Sequence, residues 1–239
     1  MRYGITILIT SITVYSFGQT LSDVGKRLKL LAEPGIFQYD TAGFSALPKI
    51  DNYCDNENKN ASDFYHLVDL NNDGQTDLLY SGTCKPSGQT IIYLRTGNKL
   101  KKVGAFQGKI VAVDKYENGS QLHIMKEVCC CYPFNEFTQV MIDSGSNITK
   151  NTITFGTDTR IRLNNRLKEE KVMGTIRTSP KVYDVPKADE CKRQVYRGNQ
   201  LRRIEGFKNV IQLSQSGTWW LVLYPETSER SWIGWMLLN

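Results

Sequence analysis

The sequence of 239 residues contains only two histidines, His66 and His123. Ser-His-Asp triads and zinc proteases both need imidazole groups, so two histidines leave little room for either chemistry. No internal run reaches the roughly 18 consecutive apolar residues that a spanning helix needs, which argues against a polytopic membrane protein. Hydrophobic residues make up 40% and charged residues 23% of the chain, which favours a folded globular protein over disorder.

The first eighteen residues have the pattern of a signal peptide. Met1-Arg2 is a short positive start, residues 3–15 are an apolar stretch, and Ser16-Phe17-Gly18 places small residues at −3 and −1 of a cleavage site. Cleavage after Gly18 leaves 239 − 18 = 221 residues without a transmembrane segment. The pattern predicts a secreted or periplasmic protein; a buried first strand or a permanent anchor is the alternative.

An exported protein enters an oxidising compartment, and this affects how its six cysteines are interpreted. An even number of cysteines in an oxidising compartment predicts disulfides, and six allow 15 pairings between which the sequence does not choose. A zinc site is the rival interpretation, although the usual C-x₂₋₄-C spacing is absent. A nucleophilic cysteine would need one of the two histidines as its base. The predicted disulfide residues are Cys54, Cys84, Cys129, Cys130, Cys131 and Cys191.

Positive charge is concentrated in the C-terminal part. Residues 19–155 carry 14 Lys and Arg against 15 Asp and Glu, whereas residues 156–239 carry 15 against 9. This excess attracts anionic surfaces such as cell-wall polymer, lipid headgroups or nucleic acid. No run of five or more basic residues is present, however, so a solvated surface is the preferred interpretation and no nucleic-acid partner is predicted.

Strand patterns dominate the chain after a short amphipathic helix predicted at 21–31. Residues 19–155 are predicted to form a β domain, an antiparallel meander with turns at Thr96-Gly97-Asn98, Asn118-Gly119 and 143–147. Its predicted strands are 63–69, 77–81, 90–95, 99–105, 109–116, 121–128, 136–142 and 151–155.

The stretch from Asp69 to Asp77 has the pattern D-x-N-x-D-G-x-x-D. Oxygen-bearing side chains at alternate positions, with a glycine for a sharp turn, are what a hard cation such as Ca²⁺ requires. An EF-hand would place Glu at position 12, where this chain has Tyr80, and the flanks resemble strands rather than helices. A metal-free Asn/Asp/Gly-rich hairpin turn is the alternative. The predicted calcium ligands are Asp69, Asn71, Asp73, Gln75 through its carbonyl, and Asp77.

This stretch resembles the calcium loop of FG-GAP and VCBS-type repeats, in which the same pattern joins two strands of a propeller blade. The resemblance covers about residues 62–81 and occurs once, so the length excludes a closed propeller. It implies a blade-like sheet with bound calcium.

Residues 172–239, after a predicted linker at 156–171, resemble a bacterial SH3-like (SH3b) domain. The resemblance rests on Gly174-Thr175-Ile176-Arg177 before Pro180, on the strand around Gly198, on 217–222 with Trp219-Trp220, and on the closing Gly234-Trp235. Thr175 stands where the family has asparagine, and the loop 183–194 is longer than usual. Five short strands also predict a small β-barrel on physical grounds.

Alternation along 218–224 places Trp220, Val222 and Tyr224 on one face and Trp219 on the other. One face is expected to be core, which leaves the opposite tryptophan partly exposed or under a loop. The predicted ligand-binding residues are Tyr183, Tyr196, Trp219 and Trp232. The alternative is that all four tryptophans pack inside the barrel and at its interface with the N-terminal domain.

These patterns favour an exported, calcium-stabilised protein without enzymatic activity. The SH3-like resemblance implies a cell-wall peptide or another envelope ligand as partner. One alternative is a cell-wall hydrolase that uses carboxylates such as Asp63, Asp69 or Glu127. The other is a scaffold that binds envelope proteins. The oligomeric state and the catalytic residues, if any, are not predicted.

Overall fold

The structure is a computed structural model that describes residues 64–82, 88–126, 134–156, 167–180 and 200–237. The fold is mainly β, as the sequence predicts. The described strands are β1 (Tyr65–Val68), β2 (Asp77–Gly82), β3 (Gln89–Thr96), β4 (Lys99–Gln107), β5 (Lys109–Tyr116), β6 (Gly119–Lys126), β7 (Phe134–Asp143), β8 (Ile148–Gly156), β9 (Lys168–Arg177), β10 (Gln200–Ser216), β11 (Trp219–Pro225) and β12 (Arg230–Leu237). The signal peptide, the helix 21–31 and all six cysteines lie outside these residues.

The first eight strands are the antiparallel strands predicted from the sequence, each within three residues of its predicted ends. They do not form one sheet, however. Strands β1 to β4 form a four-stranded meander, and β5 to β8 form a second meander that belongs to a larger sheet. The predicted blade-like sheet therefore corresponds to β1–β4, and the other half of the meander is a separate layer.

The chain passes from the first sheet to the second at Gly108, which is the single residue between β4 and β5. Its φ of +107° lies in a region that side-chain-bearing residues rarely adopt. The Gly108 amide donates to the Gly88 carbonyl, and the Gly108 carbonyl accepts from the Thr90 hydroxyl at 2.9 Å. Both partners lie at the start of β3, so the bend is fixed to the first sheet.

The two sheets pack face to face through a shared hydrophobic cluster. Alternating residues of each strand point into this layer, as expected for strands with one buried face. The cluster joins Val68, Leu70, Leu79, Ile92 and Leu94 of the first sheet and its loop to Ile110, Leu122, Ile124, Val140 and Ile142 of the second.

The last four strands close into a small barrel. Strand β9 pairs with β10, β10 with β11, β11 with β12, and β12 returns to β9. The interior is filled by Val172, Ile176, Ile204, Val210, Val222 and Met236. Strand β9 begins at Lys168, so part of the predicted linker 156–171 is strand, and residues 157–166 lie outside the described residues.

The barrel is joined to the second sheet by hydrogen bonds and by a common core. Strand β12 runs parallel to β8, with Arg230 opposite Thr152 and Ile233 opposite Phe155. A hydrophobic cluster extends across this junction: Phe137, Ile153 and Phe155 pack with Leu213, Leu221, Leu223 and Ile233. The predicted β domain and the predicted barrel therefore share buried side chains.

We expect Gly108→Ala to lower the free energy of unfolding by about 3 kcal/mol or more, from backbone strain and overpacking together. A Cβ at this position would lie 2.5 Å from the Met125 carbonyl oxygen, which is backbone and cannot rotate away. Gly97→Ala is the matched control, because Gly97 also has a positive φ (59°) but nothing within 4 Å. Urea denaturation of both variants measures the difference; equal losses would contradict the close approach.

Candidate functional site

The loop between β1 and β2 folds around its first aspartate. One carboxylate oxygen of Asp69 accepts the Asp73 amide at 3.2 Å, and the other accepts the Gly74 amide at 3.0 Å. Gly74 has a φ of +80°, so the sharp turn predicted at this glycine is present. Because Asp69 binds amides four and five residues later, the loop curls back over its own start.

Asn71 and Asp73 face each other inside this curl. The Asn71 amide nitrogen donates to one carboxylate oxygen of Asp73 at 3.0 Å, and the Asp73 backbone amide donates to the Asn71 side-chain oxygen at 3.3 Å. The other carboxylate oxygen of Asp73 accepts the Gln75 amide at 2.8 Å. Three of the five predicted ligands, Asp69, Asn71 and Asp73, therefore converge on the same short stretch of backbone.

Asp77 has a different environment, since it is fully buried at the first position of β2. Its two oxygens accept the Leu70 amide at 2.8 Å and the Arg95 amide at 2.7 Å. Burial raises the pKa of the Asp77 carboxyl, the two amide hydrogen bonds oppose this rise, and the negative charges of Asp73 and Asp69 add to it. The last aspartate of the motif thus ties the start of the loop to β3.

The fourth predicted ligand, Gln75, uses its side chain elsewhere. Its side-chain oxygen accepts the Gly97 amide at 2.9 Å, which links the loop to the turn between β3 and β4. The predicted calcium ligand of Gln75 is its backbone carbonyl oxygen, which takes no part in this side-chain hydrogen bond. The ammonium group of Lys115, on β5, donates a hydrogen bond to the backbone carbonyl oxygen of Asp69.

The donor set fits a hard cation in its chemistry. Carboxylates, an amide oxygen and a backbone carbonyl within one short loop are the oxygen ligands that calcium prefers. Burial and mutual repulsion, which raise the pKa of Asp77, are also what a bound cation would offset. Within the described ranges no three His, Cys, Asp or Glu side chains form a group that could hold a metal ion.

The loop rests on two turns of the second sheet. Asn72, at a φ of 56°, donates its side-chain amide to the Tyr116 and Glu117 carbonyls at 2.6 and 3.1 Å. Asn71 donates to the Ser146 hydroxyl at 3.1 Å. Sequence reasoning found both turns but missed that they hold the loop, because hydrogen bonds between residues more than forty positions apart leave no local pattern.

The barrel carries a polar groove of about 540 Å³ between the first half of β10 and the end of β11. Three cations, two carboxylates and one phenol share this space, which suits a ligand with several charged groups. The lining residues are Gln200, Leu201, Arg202, Arg203, Glu205, Lys208, Tyr224 and Glu226. Sequence reasoning assigned none of them to the binding site; the adjacent pair Arg202-Arg203, followed by Glu205, was the signal that the sequence offered.

A charged cluster around Trp232 adjoins this groove through Arg202 and Glu226, which line it. The Trp232 indole donates to Glu226 at 2.7 Å, and Glu226 is also ion-paired with Arg202. The guanidinium carbons of Arg202 and Arg230 lie 5.8 and 6.0 Å from the centre of the Trp232 ring, which is within the range of cation–π attraction. The glutamate and the indole therefore hold Arg202 in place.

The structure does not bring Trp219 and Trp232 together. Trp219 pairs with Leu237 at one end of β11, and Trp232 pairs with Tyr224 at the other, about 17 Å away at 3.4 Å per residue. The two tryptophans also point to opposite faces, and both are half-buried. Tyr183 and Tyr196, the other predicted ligand-binding residues, lie outside the described residues.

Both faces of β11 are buried along most of its length. Trp220, Val222 and Tyr224 belong to the barrel interior, as alternation predicts. On the opposite face Trp219 is half-buried, whereas Leu221 and Leu223 pack into the core shared with β7 and β8. Alternation within β11 does not reveal this second core, because the residues that form it come from other strands.

The carboxylates considered for hydrolysis are only partly described. Asp69 holds backbone amides with both oxygens, and Asp63 and Glu127 lie outside the described residues. None of the helices in the described part of the chain is long and apolar enough to cross a membrane. No protein-family model, curated protein or solved structure matches this chain.

We expect Asn72→Ala to lower the free energy of unfolding by about 2 kcal/mol, because it removes two hydrogen bonds between the sheets and leaves alanine in a left-handed conformation. Asn72→Gly is the matched control, since glycine accepts that conformation and loses only the hydrogen bonds. Its expected loss is about 1 kcal/mol. Denaturant melts of the two variants separate the contributions; an unchanged Asn72→Gly protein would contradict the bridging role.

Proposed function

We propose that the protein is an exported, calcium-stabilised binding protein whose SH3-like barrel binds a cell-wall peptide or another envelope ligand and which has no enzymatic activity. The observation that carries this proposal is the groove of about 540 Å³ on the barrel. Its size and mixed charge suit a short peptide rather than a macromolecular surface. The groove residues support it, whereas Trp219 and Trp232 lie at opposite ends of β11 and do not form one site.

The groove chemistry matches a peptide with free carboxylates and an amine. Arg202 and Arg203 offer guanidinium groups, which bind carboxylates through two parallel hydrogen bonds. Glu205 offers a carboxylate for an ammonium group, and Tyr224 adds an aromatic face with a hydroxyl. Cell-wall stem peptides carry both kinds of charge, which is why they are the proposed ligand class.

Calcium in this proposal is a structural ligand of the loop 69–77. Asp69, Asn71 and Asp73 would hold it with their side-chain oxygens, with Asp77 and the carbonyl of Gln75 completing the set. The bound cation supplies positive charge between carboxylates that otherwise repel one another. Since the loop is fixed to β3, to the β3–β4 turn and to two turns of the second sheet, binding would strengthen the contact between the sheets.

We expect Ca²⁺ to raise the thermal midpoint of the mature protein by several degrees relative to a chelator. Ligand bound only to the native state at 100 times its Kd stabilises by about 2.7 kcal/mol. Asp69→Ala and Asp73→Ala should each abolish the calcium-dependent increase, while Glu169→Ala, an exposed carboxylate on β9, should keep it.

The quantity to compare between variants is the rise in thermal midpoint that calcium produces, not the midpoint itself. Asp69 and Asp73 also bind backbone amides, so both variants are expected to melt lower even in chelator. Identical melts of the unmodified protein in calcium and in chelator would exclude the calcium site.

For the groove, we expect Arg203→Ala to weaken retention on purified cell-wall material about tenfold, which is the effect of losing one charge-assisted hydrogen bond. Lys101→Ala is the matched control, because Lys101 is an exposed cation on β4 of the first sheet. Sedimentation with purified peptidoglycan, with and without calcium, measures the retained fraction.

Equal retention of Arg203→Ala and Lys101→Ala would show that the groove is not the binding site. Trp219→Ala tests the surface predicted from the sequence: reduced retention of that variant alone would move the site to the other end of β11. No retention of the unmodified protein would favour the scaffold alternative.

A further inference from the structure

Strand β10 contains a bulge that projects from the barrel wall. Ile204 pairs with Gly174 and Lys208 pairs with Val172, so residues 205–207 of β10 lie opposite a single residue of β9, Met173. Gly206 within the bulge has a φ of 69°. Extra residues in one strand push the backbone outward and redirect its side chains. The bulge thus presents its tip to solvent.

The bulge places two large hydrophobic side chains in water. Phe207 is 67% exposed and Met173 is 57% exposed, and they are the two most exposed large hydrophobic residues in the described part of the chain. The register makes them neighbours across β9 and β10. Single exposed hydrophobic residues are common on protein surfaces, whereas adjacent exposed hydrophobic side chains often mark an interaction site. We call Phe207 and Met173 the apolar tip.

The strands that carry the apolar tip are basic overall. Described residues of β9 and β10 include six basic and three acidic side chains, a net charge of +3. Lys208 follows Phe207 directly, Lys171 lies two residues before Met173, and both are exposed. The basic residues are Lys168, Lys171, Arg177, Arg202, Arg203 and Lys208, and the acidic ones are Glu169, Glu170 and Glu205.

An apolar tip within a basic surface matches an anionic lipid bilayer. Aromatic and aliphatic side chains enter the boundary between headgroups and acyl chains, while nearby Lys and Arg remain among the headgroup phosphates. A protein partner fits less well, because a specific protein interface buries about 800 Å² on each side and two side chains supply a small part of that area.

We propose that the barrel binds the surface of an anionic bilayer by inserting Phe207 and Met173, with Lys171 and Lys208 at the headgroups. This activity is separate from the binding of a peptide in the groove. Both surfaces use the bulge, since Glu205 and Lys208 line the groove while Phe207 does not.

The test uses residues 19–239, so that the apolar stretch 3–15 contributes nothing, and vesicles of phosphatidylcholine with or without 30% phosphatidylglycerol. We expect sedimentation with the anionic vesicles, weakened by high salt, and little with the neutral ones. Phe207→Ser should weaken vesicle binding about tenfold or more, and Met173→Ser severalfold. Met141→Ser, which changes a 44% exposed methionine on β7, is the matched control and should bind normally.

A second measurement reports insertion directly. In Phe207→Trp the added indole should shift its fluorescence to shorter wavelength with anionic vesicles, beyond any shift of the four native tryptophans. Thermal melts confirm that the variants fold. The proposal is overturned if the unmodified protein does not bind anionic vesicles, if Phe207→Ser binds as well as Met141→Ser, or if the indole of Phe207→Trp stays in water.

Discussion

The pairing of β12 with three other strands is the constraint on which the rest of the structure depends. One edge of β12 pairs with β11 along its whole length. Its other edge is divided: residues 230–233 pair in parallel with β8, and Trp235 pairs with Arg177 of β9. The first half of β12 therefore extends the second sheet, and the second half closes the barrel. Its side chains are divided by alternation instead: Ile233 and Trp235 face the shared core, and Trp232 and Met236 face the barrel interior.

This division explains the glycine between the two halves. A Cβ on Gly234 would lie 2.5 Å from the Arg177 carbonyl oxygen, so only glycine lets β12 approach β9 at this point. The sequence identified Gly234-Trp235 as the closing strand of a small barrel, which the ring of β9 to β12 agrees with. It did not indicate the pairing with β8, because a parallel pairing between residues almost eighty positions apart leaves no periodic signal. For the same reason the sequence did not indicate that Leu221 and Leu223 pack against β7 and β8.

The first eight strands could be predicted because period-2 alternation and turn residues are local. Asn118-Gly119 and Thr96-Gly97-Asn98 mark hairpins through the backbone conformations they permit. The division into two sheets depends instead on Gly108, one glycine between two continuous strand patterns. Glycine is required there because the Met125 carbonyl leaves no room for a Cβ, and the Gly88 carbonyl accepts the Gly108 amide. Only the fold brings these two carbonyls beside Gly108. The groove was missed for the same reason, since Arg202 and Tyr224 meet only when β10 bends around the barrel.

The loop 69–77 shows how a local motif acquires a role from distant residues. Its side chains bind its own amides, but two hydrogen bonds tie it to the second sheet through Asn72, which lies between the predicted ligands and was not singled out. Lys115 also reaches the loop, yet its ammonium binds the Asp69 carbonyl oxygen rather than a carboxylate. The carboxylates are held by backbone amides: Asp69 and Asp73 accept amides of the loop itself, and Asp77 accepts the amides of Leu70 and Arg95. In the proposed calcium-bound form a divalent cation would add positive charge between these carboxylates, while Lys115 would keep its hydrogen bond to the Asp69 carbonyl oxygen.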